Sequence, residues 1–151
     1  MHEPSTLPVM VIDDEPHLRI TASQTLELAG YTPHCFESAE QALAALPPDF
    51  PGVIVSDIRM PGMDGMSLLH ELHSRDATLP IILITGHGDI STAVEAMRAG
   101  AWDFLEKPFA GDQLLDVVRR GIEKRQLSLE NLRLKAELEV QQAALGPRLV
   151  G

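Results

Sequence analysis

Residues 8–16 run Pro8-Val9-Met10-Val11-Ile12-Asp13-Asp14-Glu15-Pro16, an unbroken apolar stretch closed by three consecutive acids and a proline. An apolar run this short, with no polar residue at alternate positions, predicts a strand buried on both faces. Pro16 suits the first turn of a helix, where its missing N–H breaks no bond. Leu18, Ala22, Thr25, Leu26 and Ala29 give that helix one apolar face, and Gly30 closes it.

The same strand-then-helix unit recurs along the chain. Thr32–Phe36 reads as a second strand, and Ser38 caps a helix carrying Ala39, Ala42, Leu43 and Leu46 that stops at Pro47-Pro48. Val53–Ser56 is a third strand, and Gly65–Ser74 a helix with Met66, Leu69 and Leu72 along one side. Pro80–Ile84 is the fourth strand, and Asp89 begins a helix through Arg98 that Gly100 ends. Trp102–Leu105 is the fifth strand, and a long helix starts near Asp112. Five such units predict an α/β fold, a doubly wound five-stranded parallel sheet with an extended C-terminal helix.

In such sheets the site lies beyond the carboxyl ends of the strands. The first strand delivers Asp13, Asp14 and Glu15 there, the second Glu37 and Ser38, the third Asp57, the fourth Thr85 and the fifth Lys107. Asp13, Asp14 and Asp57 brought together would repel unless some took up protons. A hard divalent cation with oxygen ligands resolves this, and magnesium suits a site with few protein ligands and several waters. Lys107 adds a compact positive charge that can pair with Asp57 and later follow a phosphoryl oxygen. Asp57 then has what an aspartate nucleophile in phosphoryl transfer requires: ionisation, positioning and neutralising cations. Thr85 can hydrogen-bond to a transferred group.

Composition narrows the alternatives. The chain has 151 residues, enough for one domain and a little more, with a formal charge of −10 that disfavours attraction to nucleic-acid backbones or anionic membranes. Aromatic residues make up only 4%, which argues against base stacking as the main activity. The charge is uneven: net −13 over residues 1–118 and net +3 over 119–151. Cys35 has no partner for an internal disulfide and, within an apolar run, reads as a small core residue. No segment approaches the roughly 20 apolar residues of a membrane span, and no signal peptide is visible, so a cytoplasmic location is expected. His70 and His73 share a helix face without a third ligand and read as solvated. No GxxxxGK[ST] sequence occurs, so there is no nucleotide-binding P-loop.

Four segments carry a family resemblance: Val11-Ile12-Asp13-Asp14-Glu15, Ser56-Asp57-Ile58-Arg59-Met60-Pro61-Gly62-Met63-Asp64-Gly65, Ile84-Thr85-Gly86 and Lys107-Pro108-Phe109. Together they resemble the receiver domains of bacterial two-component response regulators. The resemblance implies a flavodoxin-like sheet of order 2-1-3-4-5 and a phosphoryl group donated to Asp57 by a sensor histidine kinase. It implies Mg2+ held by Asp14, Asp57 and the backbone carbonyl of Arg59, with Asp13 acting through water. It implies a cis Lys107–Pro108 peptide and a switch pair of Thr85 and Phe104. Phenylalanine at the switch position lacks the hydroxyl of the family's frequent tyrosine, so its coupling to Thr85 is expected to be weaker. Arg59 and His87 fall at the two positions that tune the lifetime of the phosphoryl group, and both are large enough to obstruct water.

The last helix continues past a compact domain. A heptad-like stripe runs Leu115, Val118, Ile122, Arg125, Leu129, Leu132, Ala136, Glu139, Ala143, imperfect at Arg125 and Glu139, and suggests a two-stranded coiled coil. Leu127, Leu134, Leu138 and Leu145 form a second stripe. The expected organisation is an N-terminal extension (1–6), a receiver domain (7–123), a helical linker (124–145) and the first residues of an AAA+ ATPase (146–151). This layout resembles the nitrogen-regulator class of transcription activators, the dicarboxylate-transport regulators among them. That resemblance implies homodimers through the linker helix and through the fourth-helix and fifth-strand face. DNA and sigma-54 polymerase would be engaged only by domains beyond this chain, with no membrane contact. Three other readings compete: a stand-alone receiver, a haloacid-dehalogenase-type Mg-dependent phosphatase and a flavodoxin-like flavin binder. Arg59 stands where such a phosphatase needs a second aspartate, and the flavin binder's phosphate loop and stacking aromatics are missing.

Overall fold

The structure, a computed structural model, describes residues 7–145, with side chains through residue 143; the expected extension 1–6 and the expected ATPase start 146–151 lie outside the described residues. Five strands, β1 (Pro8–Ile12), β2 (Thr32–Phe36), β3 (Val53–Asp57), β4 (Ile81–Thr85) and β5 (Asp103–Glu106), alternate with five helices. These are α1 (Pro16–Leu28), α2 (Ala39–Ala45), α3 (Gly65–Arg75), α4 (Ile90–Arg98) and α5 (Gly111–Leu145). Every ladder is parallel and the sheet order is β2-β1-β3-β4-β5, as the resemblance implied.

Successive side chains of a strand point to opposite faces, so a run without polar residues must be covered twice. Ile81 and Leu83 of β4 pack with Leu68, Leu69 and Leu72 of α3 and Ala96 of α4 on one face. Ile82 and Ile84 pack with Leu26 of α1 and Leu114, Val118 and Ile122 of α5 on the other. Each fully buried aliphatic side chain contributes about 1.5–3 kcal/mol. Ser38 caps α2 by accepting the Gln41 N–H at 3.2 Å, as expected. Gly30, at φ 96, turns the chain out of α1 while the Tyr31 N–H returns to the Leu26 carbonyl at 3.0 Å.

Three strands run one residue further than their apolar letters. Asp57 pairs with Ile84 and Thr85 with Glu106 within the ladders, because backbone pairing is indifferent to side-chain polarity. Asp57 and Thr85 are therefore the last residues of strands, fixed by the ladder itself.

Two other expectations change. Cys35 is exposed, because β2 is the edge of the sheet and presents Thr32, His34 and Cys35 outward. Burial against α1 still pushes its thiol up, so it is not primed as a thiolate. On α5, Val118, Ile122 and Arg125 are all buried in the domain, so this part of the first stripe is not open to a coiled-coil partner. No helix among the described residues is long and apolar enough to cross a membrane.

Candidate functional site

β1, β3, β4 and β5 end along one edge, and their last residues and the loops beyond build a single acidic pocket. Asp57 closes β3 and is 8% exposed. Its backbone is packed on Gly65, where a Cβ would come within 2.6 Å of the Asp57 carbonyl oxygen, so α3 must begin with glycine. The Arg59 N–H donates to Asp57 Oδ1 at 3.2 Å, and Lys107 Nζ donates to Oδ2 at 3.0 Å. Lys107 also lies 3.9 Å from Asp13 Oδ2 and 4.0 Å from Glu15 Oε1. The ladder bond from the Lys107 N–H to the Thr85 carbonyl, at 2.9 Å, fixes the root of that lysine. The Lys107–Pro108 peptide is cis.

Asp13 is fully buried, and its Oδ1 accepts the Glu15 N–H at 2.8 Å while its Oδ2 has no hydrogen-bond partner among the described residues. Burial pushes its carboxyl up to about 6, and the nearby Asp57 charge adds to this, against the pull of the Glu15 N–H and Lys107. Burial acts to lower the Lys107 ammonium, but the hydrogen bond and charge of Asp57, with Asp13 and Glu15, raise it overall, keeping it charged. Carboxylate oxygens of Asp13, Asp14 and Asp57 lie within 4.8 Å of one another, with Asp14 exposed at the mouth. An unpartnered buried oxygen beside two further carboxylates is the donor set that a hard cation fits. Receiver domains, which the sequence resembles, take up Mg2+ at an acidic pocket, and a cluster of aspartates of that kind is present here.

Thr85 is buried, its hydroxyl donating weakly to the Leu105 carbonyl at 3.4 Å. Phe104 is 38% exposed and faces a groove of about 410 Å³ between α4 and β5, lined also by Thr85, Ile90, Val94 and Met97. Arg59 and His87 both turn to acids. Arg59 Nη2 lies 3.0 Å from Asp89 Oδ2, and His87 Nδ1 lies 3.7 Å from Glu106 Oε2. His70 is exposed, while His73 is partly buried with its ring against Gly100.

Three residues near the site escaped the sequence reading. Glu106 accepts the Gly88 N–H and holds the β4–α4 loop to the end of β5. Its place directly before Lys107 at a strand end was an available signal. Asp89 was visible only as a helix start, yet its carboxylate takes Arg59. Glu40 of α2 accepts the Met63 N–H at 3.1 Å and steadies the loop after Asp57, a contact across 23 residues with no local signature.

An acidic pocket, a strand-end aspartate paired to lysine, and a threonine one strand away thus meet at one edge of the sheet. The model of the response regulator receiver domain matches residues 9–119, and the chain belongs to that family. It is 57% identical over 95% of its length to the C4-dicarboxylate transport transcriptional regulatory protein DctD of Pseudomonas aeruginosa, and 51% identical over 95% to DctD of Rhizobium meliloti. The chain spans 31% of the length of each of those relatives. Among solved structures, the response regulator StyR matches with a TM-score of 0.87 and 35% identity, over 93% of this chain and 71% of that one. Receiver domains are signalling domains, not conventional enzymes.

Proposed function

We propose that Asp57 accepts a phosphoryl group from the phosphohistidine of a cytoplasmic sensor histidine kinase, and that this changes how two copies of the chain associate. The observation that carries this reading is the Asp57–Lys107 pair inside the Asp13–Asp14–Asp57 cluster. In the transfer, an Asp57 carboxylate oxygen forms the new O–P bond as the N–P bond of the donor breaks, its electron pair staying on the departing imidazole. Asp14, Asp57 and the Arg59 carbonyl, with Asp13 through water, would hold Mg2+, which would supply positive charge for the equatorial oxygens. Lys107 shifts from the Asp57 carboxylate to an oxygen of the phosphoryl group. Thr85 gives up its long bond to the Leu105 carbonyl and donates to another such oxygen. Phe104 then turns inward into the space that Thr85 vacates.

That movement reshapes the α4–β5 groove, where Ile90, Val94, Met97 and Phe104 already present apolar surface. The phosphorylated chain is expected to pair through this face in preference to the linker helix. The DctD relatives are named transcriptional regulatory proteins, and a 44% identical relative is the DNA-binding transcriptional regulator NtrC of Salmonella typhimurium, which supports a transcriptional output of the nitrogen-regulator class. Sedimentation velocity with and without beryllofluoride and Mg2+ tests the switch. An altered dimer for the wild-type chain and none for Thr85→Ala, which keeps the acceptor, is expected; identical wild-type profiles would count against it.

A further inference from the structure

The helix that leaves the domain is bolted to it by a buried cation. Arg125 is fully buried, the next inward position after Val118 and Ile122. Its Nε donates to the Phe50 carbonyl at 2.8 Å, Nη1 to Thr78 Oγ1 at 2.7 Å and Nη2 to Asp76 Oδ2 at 2.6 Å. Asp76 Oδ1 in turn accepts from the Thr78 hydroxyl at 2.9 Å and the Thr78 N–H at 3.1 Å, so the cluster is closed on itself. Phe50 precedes β3 and Asp76–Thr78 precede β4. The guanidinium thus grips the starts of the two strands whose far ends carry Asp57 and Thr85.

Stability alone does not explain an arginine here. A leucine or methionine would continue the apolar stripe into Leu129 and Leu132, and replacing a buried ion pair by packed apolar groups is often neutral or stabilising. What a guanidinium adds is direction: a rigid planar fork with three partners from two loops fixes position and rotation together. Beyond it the helix is mostly exposed, with Leu127 at 68%, Leu134 at 48% and Leu138 at 55%. Leu127, Asn131, Leu134 and Leu138 follow steps of four, three and four, the spacing of a coiled-coil seam in which a single Asn sets register and favours two strands.

We propose that Arg125 is a positioning residue that locks the rotation of α5 where it leaves the receiver domain. It thereby presents Leu127, Asn131, Leu134 and Leu138, rather than the Leu132 face, to a second copy of the chain. The presentation rests on the dimer reading above; the lock does not.

The test is a distance measurement by pulsed electron paramagnetic resonance within one chain. Spin labels are placed at Ala44→Cys and Lys135→Cys in a Cys35→Ser background, diluted with unlabelled protein. One narrow distance is expected with Arg125 present. Arg125→Met and, as a milder variant that leaves the arginine in place, Asp76→Asn are each expected to widen it about twofold or more, because the fork loses its directed partners. Labelling of Asp57 by acetyl phosphate should stay at the wild-type level in both. Unchanged widths in both variants would overturn the lock. Widening in the variants together with a wild-type chain that sediments as a monomer at every concentration would overturn the dimer reading and leave the lock standing.

Discussion

The guanidinium of Arg59 sits 3.0 Å from the carboxylate of Asp89, joining the residue two beyond Asp57 to the N-cap of α4. The Arg59 side chain is 78% exposed, so solvent and salt screen the pair and the tie is weak. A tie this weak can hold the β4–α4 loop at rest and still release it when Asp57 changes charge. Glu106, which accepts the Gly88 N–H from β5, gives the same loop a second hold.

Arg59 freed from Asp89 can lie over the phosphoryl group and hinder attacking water, with His87 on the other side. Phospho-Asp57 is therefore expected to persist longer than seconds. Arg59→Ala should shorten its half-life by about threefold, equivalent to about 0.7 kcal/mol of barrier. Loss of label followed after removal of the donor checks this, and a wild-type half-life of a few seconds would contradict it.

Lys107 neutralises the same carboxylates that a metal would occupy. Lys107→Met removes that competitor and leaves the acids to repel one another, so Mg2+ should bind more tightly, by about threefold to tenfold. The same variant should label poorly at Asp57, because no cation follows the transferred oxygen. Calorimetric titration with Mg2+ separates the two effects, and weaker binding than wild type would show that Lys107 supports the metal.

The Arg125 clamp predicts a pH signature. Burial acts to raise the Asp76 carboxyl, but hydrogen bonds from Arg125 and Thr78 outweigh it and hold the group below its ordinary 3.8. A folded value below the unfolded one gives stability that is fully present above about 3.8 and lost as pH falls through the folded value. Asp76→Asn should therefore be less stable than wild type at neutral pH, with the gap closing below about 3.8 in denaturant titrations. A constant gap across that range would refute the assignment.

That Asp57, the acidic pair, Thr85 and Lys107 meet at one edge was legible because a parallel sheet gathers its strand ends whatever lies between them. Residues 13, 57, 85 and 107 are far apart in the chain, yet each follows or closes an apolar run. Arg125 was misleading for the opposite reason. It interrupts an apolar stripe, and its partners Asp76, Thr78 and Phe50 stand 49, 47 and 75 residues away, where no local pattern points to them. Cys35 was misjudged because its strand was read as apolar although Thr32 and His34 interrupt it; those polar residues fit the edge position that the order β2-β1-β3-β4-β5 gives it. The strand ends fell one residue short for a similar reason, since the ladder continues through Asp57, Thr85 and Glu106 on backbone bonds alone.

The most direct test of the site is chemical. Acetyl phosphate with Mg2+ supplies a phosphoryl group without a kinase, so labelling depends only on this chain. The wild-type chain is predicted to take up one phosphoryl group per molecule, labile to alkali and to hydroxylamine as an acyl phosphate should be, and Asp57→Asn to take up none. Equal labelling of the two would contradict the assignment of Asp57 as the acceptor.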